Sequence, residues 1–360
     1  MHWVEMIWWL SFSILMGYQL LVFRKREKRS SVQEWGELPG VSIVIAIKNG
    51  SDRLIQNLQA FLTLDYPVFE IIIIDDHSSH EEKQKLESAL SGIDNIFLYH
   101  NDSLAGKKHA LMQGIEKATH PLILCTDADC LPSGTAWIKS MVSHSNGNDV
   151  VMGYAPYIQT NGLLNGFVRF ETVMTAIQYF SWALIGRPYM GVGRNMLYAK
   201  KLFKDIDPYK HHSNIPYGDD DLLIQQAARV AQVHTNLEKD SFMYSDAPAN
   251  WRAWFRQKHR HMSAGHHYAM SSWWQPGIYG MALIGHWFTL PLLSAIITQR
   301  DIPFFLLAGL VIRWITYVQW TQKLGEKDTR IWYPLAEVAY AVYLAVVGVW
   351  TIVAKKKTWN

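Results

Sequence analysis

Cysteine is scarce in this sequence. Cys125 and Cys130 are the two cysteines among 360 residues, and they flank one acidic motif. Two cysteines cannot form a disulfide framework, and a chain of this length can bury an ample core without one. The scarcity excludes the small disulfide-rich secreted class and fits a reducing, cytosolic setting.

Charge is also low, since Asp, Glu, Lys and Arg make up 18% of the chain and the net charge is +3. So small an excess, placed beside apolar runs and not in a groove-sized patch, excludes a nucleic-acid binder. What is abundant is apolar and aromatic: hydrophobic residues reach 49%, with 16 Trp and 17 Tyr. That richness is unusual for a soluble domain and predicts a bilayer as partner.

An apolar stretch of membrane-spanning length opens the chain. It runs from Trp3 to Phe23, contains Glu5 as its one charge, and stops at a basic block at 24–29. By the positive-inside rule, residues 1–23 are expected to be an uncleaved anchor in the inner or plasma membrane. Residues 24–40 are then a basic cytosolic linker, and the catalytic domain is expected to be cytosolic.

A second membrane region is predicted at residues 276–360. Its three apolar stretches are about Ile278 to Ile297, Pro303 to Trp320 and Tyr333 to Ala354. Four crossings in all would place the terminal Lys355-Lys356-Lys357 block on the wrong face, so one segment is expected to be re-entrant or interfacial. Before this region, residues 251–275 mix aromatic and basic side chains, which favours an amphipathic helix in the interface plane.

Residues 41–250 alternate short apolar runs with polar, helix-compatible stretches. The runs are Val41 to Ile47, Ile71 to Ile74, Pro121 to Cys125 and Val150 to Val151. This alternation predicts an α/β domain with a mainly parallel sheet. Because the first three runs end in polar or acidic residues, we expect a ligand site at the carboxyl edge of that sheet.

Acidic residues follow two of these strands. Asp76 comes after Ile71 to Ile74, where a carboxylate can accept hydrogen bonds from a uracil or a ribose, although a turn explains an isolated Asp pair equally well. Asp127 and Asp129 follow Pro121 to Cys125. In an extended segment these two point the same way, so they can hold one hard cation such as Mg²⁺ or Mn²⁺.

A third acidic cluster, Asp219-Asp220-Asp221, precedes an apolar helical run. Capping a helix requires one such residue. Three adjacent carboxylates repel each other, and the resulting rise in one pKa is what a general base requires.

Two basic motifs complete the set. Lys107, after Gly106, can supply a cation to phosphates, although a solvated lysine at a helix start is an equally good interpretation. Gln257, Arg260 and His261 lie at i, i+3 and i+4 on one helical face, where the arginine could bind a diphosphate. In isolation, contact with lipid headgroups explains this second motif as well.

Taken in order, the motifs resemble the family 2 glycosyltransferases, the inverting enzymes with a GT-A fold. The membrane group that contains the cellulose, hyaluronan and poly-N-acetylglucosamine synthases and ceramide glucosyltransferase is the nearest likeness. The resemblance covers roughly Val41 to Gly265. It implies a Rossmann-like nucleotide-sugar-binding domain with terminal transmembrane helices, a Mg²⁺ or Mn²⁺ cofactor, a donor expected to be UDP-linked, and a lipid or glycan acceptor.

The resemblance also implies a role for each matching residue. Asp220 corresponds to the catalytic base, with Asp219 and Asp221 as alternatives in register. Asp129 and Asp127 correspond to the metal motif. The donor-binding set is Lys48, Asn49, Asp76, Lys107, Asp127, Gln257 and Arg260, and the acceptor side holds Gly193, Asn195 and His261, which stands where the family has Trp.

Three functions remain open on the sequence. A glycosyltransferase (a hexosyltransferase) acting on a lipid or lipid-linked acceptor is favoured, because few C-terminal segments are available to form a channel. A processive polysaccharide synthase is the alternative, and a nucleotide-sensing transporter or channel subunit is the remote one. For the last, His286 and Arg313 lie within apolar stretches, but Arg313 and Glu337 are near enough to segment ends to snorkel. Protein partners are not indicated.

Overall fold

The computed structural model describes residues 2–24, 35–209, 218–265, 270–294 and 301–353. The chain divides into two compact units. The helical unit comprises Met1–Glu27, Gln159–Ile185 and Pro248–Lys357, and the sheet unit comprises Lys28–Ile158, Gly186–Ala247 and Thr358–Asn360. The segment Gln159–Ile185, within the predicted domain 41–250, thus belongs to the helical unit.

Nine strands are described. They are β1 Val41–Ile47, β2 Phe69–Asp75, β3 Ile96–His100, β4 Leu122–Asp127, β5 Leu131–Pro132, β6 Val150–Gly153, β7 Met196–Ala199, β8 Val233–Asn236 and β9 Met243–Tyr244.

Helices are found in both units. They are α1 His2–Gly17, α2 Ser51–Leu62, α3 His80–Leu90, α4 Lys107–Lys117, α5 Trp137–Ser143, α6 Leu163–Leu184, α7 Lys200–Ile206, α8 Asp219–Ala227, α9 Trp251–Gly265, α10 Met270–Ser294, α11 Ile302–Leu324 and α12 Tyr333–Val353. A π-helical turn, Tyr18–Val22, continues α1.

Seven strands form the main sheet in the order β3-β2-β1-β4-β7-β6-β8. The first four in this order run parallel, and β6 and β8 also pair in parallel, whereas β7 is antiparallel to both β4 and β6. The α/β class and the mainly parallel sheet are therefore confirmed. The central strand β1 is apolar at six of seven positions because it is buried on both faces.

Helices cover both faces of this sheet. On one face, α2 presents Leu54, Leu58 and Phe61 at helical spacing to a core that includes the β1 side chains. On the other face, α4 approaches so closely that a Cβ on Gly114 would lie 2.6 Å from Val44 Cγ1. This close packing directs the first turn of α4 toward the carboxyl edge of the sheet.

In the helical unit, three described helices are long and apolar enough to cross a membrane: His2–Val22, Ile302–Leu324 and Tyr333–Trp350. They coincide with three of the four predicted segments. The fourth predicted stretch, Ile278 to Ile297, is helical as far as Ser294 within α10, which contains Pro276 and Pro291. Residues 295–300 and the terminal lysine block lie outside the described residues.

The predicted interfacial stretch 251–275 contains α9 and the first residues of α10. Trp254 of α9 is 1% exposed. It packs against Phe167 of α6 and Tyr343 of α12 within the same unit. Lys258 forms an ion pair with Glu171 of α6. Trp254 of α9 is thus covered by protein, whereas Trp251 of the same helix is 45% exposed.

The expectation that Arg313 and Glu337 snorkel to the segment ends is wrong. Arg313 is 1% exposed and Glu337 is 0% exposed. Two hydrogen bonds join them, from Nε to Oε1 at 2.7 Å and from Nη2 to Oε2 at 3.0 Å, and the Tyr333 hydroxyl donates to Glu337 Oε1 at 2.6 Å. The two charges are paired with each other inside the unit, which is the form in which charges persist in an apolar bundle.

Glu70, on β2, secures the amino edge of the main sheet. Its Oε1 atom accepts hydrogen bonds from Ser42 Oγ at 2.6 Å, and from the Thr119 amide and hydroxyl at 2.6 and 2.8 Å. Burial by itself would raise the pKa of Glu70, but these hydrogen bonds to the charged form outweigh it and lower the pKa below its ordinary 4.5.

Replacing this carboxylate, Glu70→Ala, leaves three donors without their partner. We expect a loss of about 1–3 kcal/mol in the stability of the sheet unit. Because the folded-state pKa is lowered, the contribution is complete above the ordinary pKa of 4.5 and is lost as the pH falls through the folded value. Thermal unfolding of the full chain in detergent at a series of pH values measures both effects. The exposed Glu81→Ala is the matched control, and equal unfolding temperatures for the two variants would contradict the assignment.

Candidate active site

Strand pairing brings the predicted site residues to one edge of the sheet. In register, Ile47 at the end of β1 lies beside Asp75 at the end of β2, and Ala46 lies beside Asp127 at the end of β4. Lys48, which follows β1, and Asp76, which follows β2, therefore stand at the same edge as Asp127. This is the carboxyl edge, where open α/β sheets bind ligands.

Asp76 is fully buried, and its carboxylate holds the loop that leads into α4. The Gly106 amide donates to both oxygens, at 3.0 and 2.9 Å, and Asn101 Nδ2 donates to Oδ1 at 2.6 Å. Gly106 has a φ of 148°, a conformation that side-chain-bearing residues rarely adopt. Asp76 thus sets the position of the neighbouring Lys107. No sequence pattern singled out Asn101.

Asn49 joins the loops that follow β1 and β2. Its backbone amide donates to Ser78 Oγ, and its Oδ1 accepts from the Ser79 amide, both at 2.9 Å. The residue adopts a left-handed φ of 51°, which asparagine tolerates better than most side chains. Asn49 therefore shapes the loop that carries Lys48, and a direct role of either residue in donor binding stays a prediction.

Asp127 to Cys130 form a tight turn, named here the acidic turn. β4 ends at Asp127, and the Cys130 amide donates to the Asp127 carbonyl at 3.1 Å. The expectation of an extended segment through Asp129 is wrong, because the chain turns where the strand ends. The carboxylates of Asp127 and Asp129 still influence each other: surrounding protein raises the pKa of Asp129, the charge of Asp127 raises it further, and Arg194 and Lys107 oppose the rise.

Lys107 contacts this turn directly. Its Nζ lies 2.7 Å from Asp127 Oδ1. The sequence predicted a cation for phosphates at this position, and the structure pairs it with a carboxylate of the predicted metal motif. The lysine is the first residue of α4.

Arg194 is a charged residue that the sequence analysis missed. It precedes β7, whose last pair with β4 joins Met196 to Cys125; the same register, continued by two residues, brings Arg194 level with Asp127. Its guanidinium donates to the Ala155 carbonyl at 2.6 Å and to Ser245 Oγ at 2.9 Å, and it lies 4.6 Å from the centre of the Tyr157 ring. No sequence signal singled it out, because its partners come from distant segments.

Asp220 lies in the first turn of α8 and is held by backbone amides. Gly193 N donates to Oδ2 at 2.9 Å, and Asp221 N donates to Oδ1 at 3.0 Å. A Cβ on Gly193 would lie 3.3 Å from the Cβ of Asp220, so glycine allows this close approach. Gly193 comes just before β7 in the chain. Because β7 is antiparallel to β4, Gly193 lies past the carboxyl end of β4, and its contact places Asp220 at the same edge as Asp127.

The two register alternatives differ from Asp220. Asp221 is 7% exposed, so it is less accessible than Asp220, whose side chain is partly exposed. The side chain of Asp219 lies outside the described residues. Exposure therefore favours Asp220 over Asp221.

Asn195 is a buried connector. Its Oδ1 accepts from Trp137 Nε1 at 3.1 Å, and its Nδ2 donates to the carbonyls of Tyr154 and Ser241, both at 2.8 Å. These bonds use both amide hydrogens and fix the segment Gly193–Asn195 against the body of the sheet unit. Its predicted place on the acceptor side stays a prediction.

Gln257 and Arg260 lie on α9, in the helical unit. His261 belongs to the same helix, and its side chain lies outside the described residues. Their predicted roles in donor and acceptor binding stay predictions.

The residues of the acidic turn fit a hard divalent cation. Carboxylate oxygens are the donors that Mg²⁺ and Mn²⁺ prefer, and two of them suffice where phosphates and water complete the coordination shell. Among the described residues, no group of three or more His, Cys, Asp or Glu side chains gathers at one point. The site thus suits an ion that arrives with a phosphate ligand better than a fully protein-bound metal.

The chain is similar in sequence to known glycosyltransferases. The family model described as Glycosyl transferase family 2 matches residues 42–207. A poly-β-1,6-N-acetyl-D-glucosamine synthase of Staphylococcus aureus (strain MSSA476) is 31% identical over 125 residues, covering 35% of this chain and 30% of the relative. That of Staphylococcus epidermidis is 24% identical over 280 residues, covering 74% and 64%. The chain thus spans less than two thirds of the length of these relatives.

Among solved structures, the mannosyltransferase PcManGT from Pyrobaculum calidifontis, in complex with GDP-Man and Mn²⁺, matches 98% of this chain and 100% of its own with a TM-score of 0.60. At 15% sequence identity this likeness shows the fold alone. The apolar helices and the polysaccharide synthase relatives together indicate membrane association. Residues 42–207 are thus similar to the family 2 glycosyltransferases, and the fold is the GT-A fold.

Proposed function

We propose that this protein is an inverting glycosyltransferase that moves a sugar from a nucleotide-sugar to an acceptor hydroxyl. The observation that carries the proposal is the contact between the Gly193 amide and the Asp220 carboxylate. This contact holds the partly exposed carboxylate of Asp220 in one orientation, at the edge of the sheet that also carries Asp127. A base and a cation site at one edge are what single displacement at an anomeric carbon requires.

Asp220 is the proposed base. Its two oxygens accept amide hydrogens from Gly193 and Asp221, and these bonds orient the carboxylate. The carboxylate removes the hydroxyl proton as the oxygen attacks the anomeric carbon from the face opposite the nucleotide. Configuration at that carbon inverts.

The acidic turn is the proposed donor side. When bound, Mg²⁺ or Mn²⁺ supplies charge that stabilises the departing diphosphate. Asp127 and Asp129 would hold the ion, and Lys107 would contact the diphosphate. The Mn²⁺ in the PcManGT complex supports a divalent ion, and its GDP-Man makes a guanosine donor an alternative to the expected UDP-sugar.

The proposed acceptor is a lipid or lipid-linked sugar at the cytosolic face of the inner or plasma membrane. Few apolar helices suited to a polymer channel are described, and the basic block at 24–29 favours a cytosolic catalytic domain. The poly-N-acetylglucosamine synthase relatives favour a second candidate, a processive polysaccharide synthase.

Product size decides between these two acceptors. We expect purified full-length protein, incubated with membrane lipid, Mn²⁺ and radiolabelled UDP-sugars or GDP-sugars in parallel, to add a single sugar to lipid. A ladder of lengthening products would establish the polysaccharide synthase instead. No transfer from any donor of either panel would refute the proposed activity, provided that thermal unfolding shows the protein to be folded.

The base assignment is tested by Asp220→Asn. Amide nitrogen cannot take up the proton, so we expect the transfer rate to fall by about 10²–10⁴-fold. Because the residue lies on α8 and not in the acidic turn, nucleotide affinity should change less than about twofold. Isothermal titration and a single-turnover assay measure the two quantities.

Matched variants sharpen this test. Gly193→Ala should lower the transfer rate with little effect on nucleotide affinity, because the added Cβ displaces Asp220 by a few tenths of an ångström. Asp221→Asn should keep more activity than Asp220→Asn. If Asp220→Asn stays active and Asp219→Asn or Asp221→Asn does not, the base lies at the alternative position.

A further inference from the structure

Two cations stand against the two carboxylates of the acidic turn. Lys107 Nζ contacts Asp127 Oδ1 at 2.7 Å. Arg194 is level with Asp127 when the β4–β7 register is continued. The formal charges of Asp127, Asp129, Lys107 and Arg194 therefore sum to zero at the point where a divalent cation is proposed to bind.

Arg194 is fixed beside the turn and is not a mobile surface charge. The pairing of β5 with β9 joins Leu131 to Tyr244, so the next residue along, Ser245, stands beside Cys130 of the acidic turn. Ser245 Oγ accepts from Arg194 Nη1, while the Ala155 carbonyl accepts from Nη2. Among the described residues, the buried Arg194 Nε has no hydrogen-bond partner. The two hydrogen bonds to Ser245 and Ala155 hold the guanidinium in place.

Lys107 differs from Arg194 because its ammonium group can exchange one anionic partner for another. Its side chain is 24% exposed, and Asp127 is 34% exposed, so their ion pair is open to solvent. A flexible ammonium of this kind can leave one anion for another at low cost. A diphosphate arriving at this edge is such an anion.

These charges oppose the entry of a metal ion by itself. A divalent cation at Asp127 must displace Lys107 and approach the fixed charge of Arg194, so its attraction to the two carboxylates is largely offset. A nucleoside diphosphate reverses the balance, because its negative charges interact favourably with Lys107, Arg194 and the cation together. Metal and diphosphate then each raise the affinity for the other.

We propose that Lys107 and Arg194 make divalent-metal binding by the acidic turn conditional on the nucleoside diphosphate. Without the donor, Lys107 stays paired with Asp127, and the fixed charge of Arg194 lies level with the same residue. With the donor, Lys107 turns to the phosphates and the carboxylates become available to the metal. This inference rests on the proposed function, since it uses the same metal and donor site, and it makes Arg194 a positioning residue of that site.

The test measures metal binding and not turnover. Free Mn²⁺ is followed by electron paramagnetic resonance in titrations of full-length protein in detergent, with and without saturating UDP, and with GDP in parallel. For the wild-type chain, we expect the nucleotide to raise Mn²⁺ affinity by at least about tenfold, within the usual range of coupling between two sites.

Removing the charge of Lys107 or of Arg194 should change the affinity for Mn²⁺ alone and the affinity for the nucleotide–Mn²⁺ pair in opposite directions. In Lys107→Gln and Arg194→Gln, we expect Mn²⁺ alone to bind several-fold tighter and the nucleotide–Mn²⁺ pair to bind about tenfold weaker. Arg194→Lys, which keeps the charge, should lie nearer to wild type. Lys201→Gln, which removes an exposed cation of the same unit that pairs with Asp205, is the matched control and should change neither affinity.

The opposite signs separate electrostatic gating from simple damage. A structural role would weaken both affinities, so parallel loss in folded variants would overturn the inference, as would unchanged affinities. Thermal unfolding verifies folding, and if Arg194→Gln fails to fold, Lys107→Gln and Arg194→Lys decide. If the proposed function itself is wrong, the results differ from these. The wild-type protein would then bind neither UDP nor GDP in the presence of Mn²⁺, or Asp129→Ala would leave the Mn²⁺-dependent binding of the nucleotide unchanged.

Discussion

The pairing of β7 with β4 is the constraint on which the site depends. β7 runs antiparallel beside a strand that is otherwise in a parallel set, and its register joins Met196 to Cys125. The residues that enter β7 must therefore pass the carboxyl end of β4, where the acidic turn lies. In a purely parallel arrangement they would pass the opposite edge, and neither Gly193 nor Arg194 could reach the acidic residues.

Three consecutive residues exploit this passage. Gly193 donates its amide to Asp220, Arg194 reaches Ser245 and Ala155 beside the acidic turn, and Asn195 anchors the segment through Trp137, Tyr154 and Ser241. Buried hydrogen bonds of this kind restrict the geometry, because an arrangement that breaks them leaves a donor or an acceptor without its partner. The hydrogen bonds of these three residues therefore tie Asp220 and the acidic turn to one short stretch of chain.

Much of the sheet unit could be predicted from local patterns. The run Val41 to Ile47 coincides with β1 because a doubly buried strand reads as a continuous apolar run. The acidic residues at the strand ends were predicted because they follow such apolar runs. The acidic turn was not predicted, because the rule that residues two apart share a face holds only while a strand continues, and β4 ends at Asp127. Arg194 carried no local signal, because its meaning comes from register and from partners about 39 and 51 residues away in sequence.

The helical unit shows the same limit of local reasoning. Its spans were predictable from hydropathy, but Arg313 and Glu337 looked like residues able to reach the ends of their segments. Each is instead paired with the other, and pairing of this kind depends on how α11 and α12 pack, which a single segment cannot reveal. The helix α6 likewise belongs to this unit through tertiary contacts, including the ion pairs of Arg169 with Glu326 and Asp328.

The two sides of the candidate site are held by different kinds of bond, and the difference suits their tasks. Asp220 is oriented by backbone amides, which cannot leave without unfolding the segment, so a base in this place keeps its direction through the catalytic cycle. Asp127 is paired with the flexible side chain of Lys107, which can exchange its partner when a more strongly charged anion arrives. Rigid support where a proton must be taken, and an exchangeable ion pair where a charged donor must enter and leave, are requirements that one kind of contact could not meet at both positions.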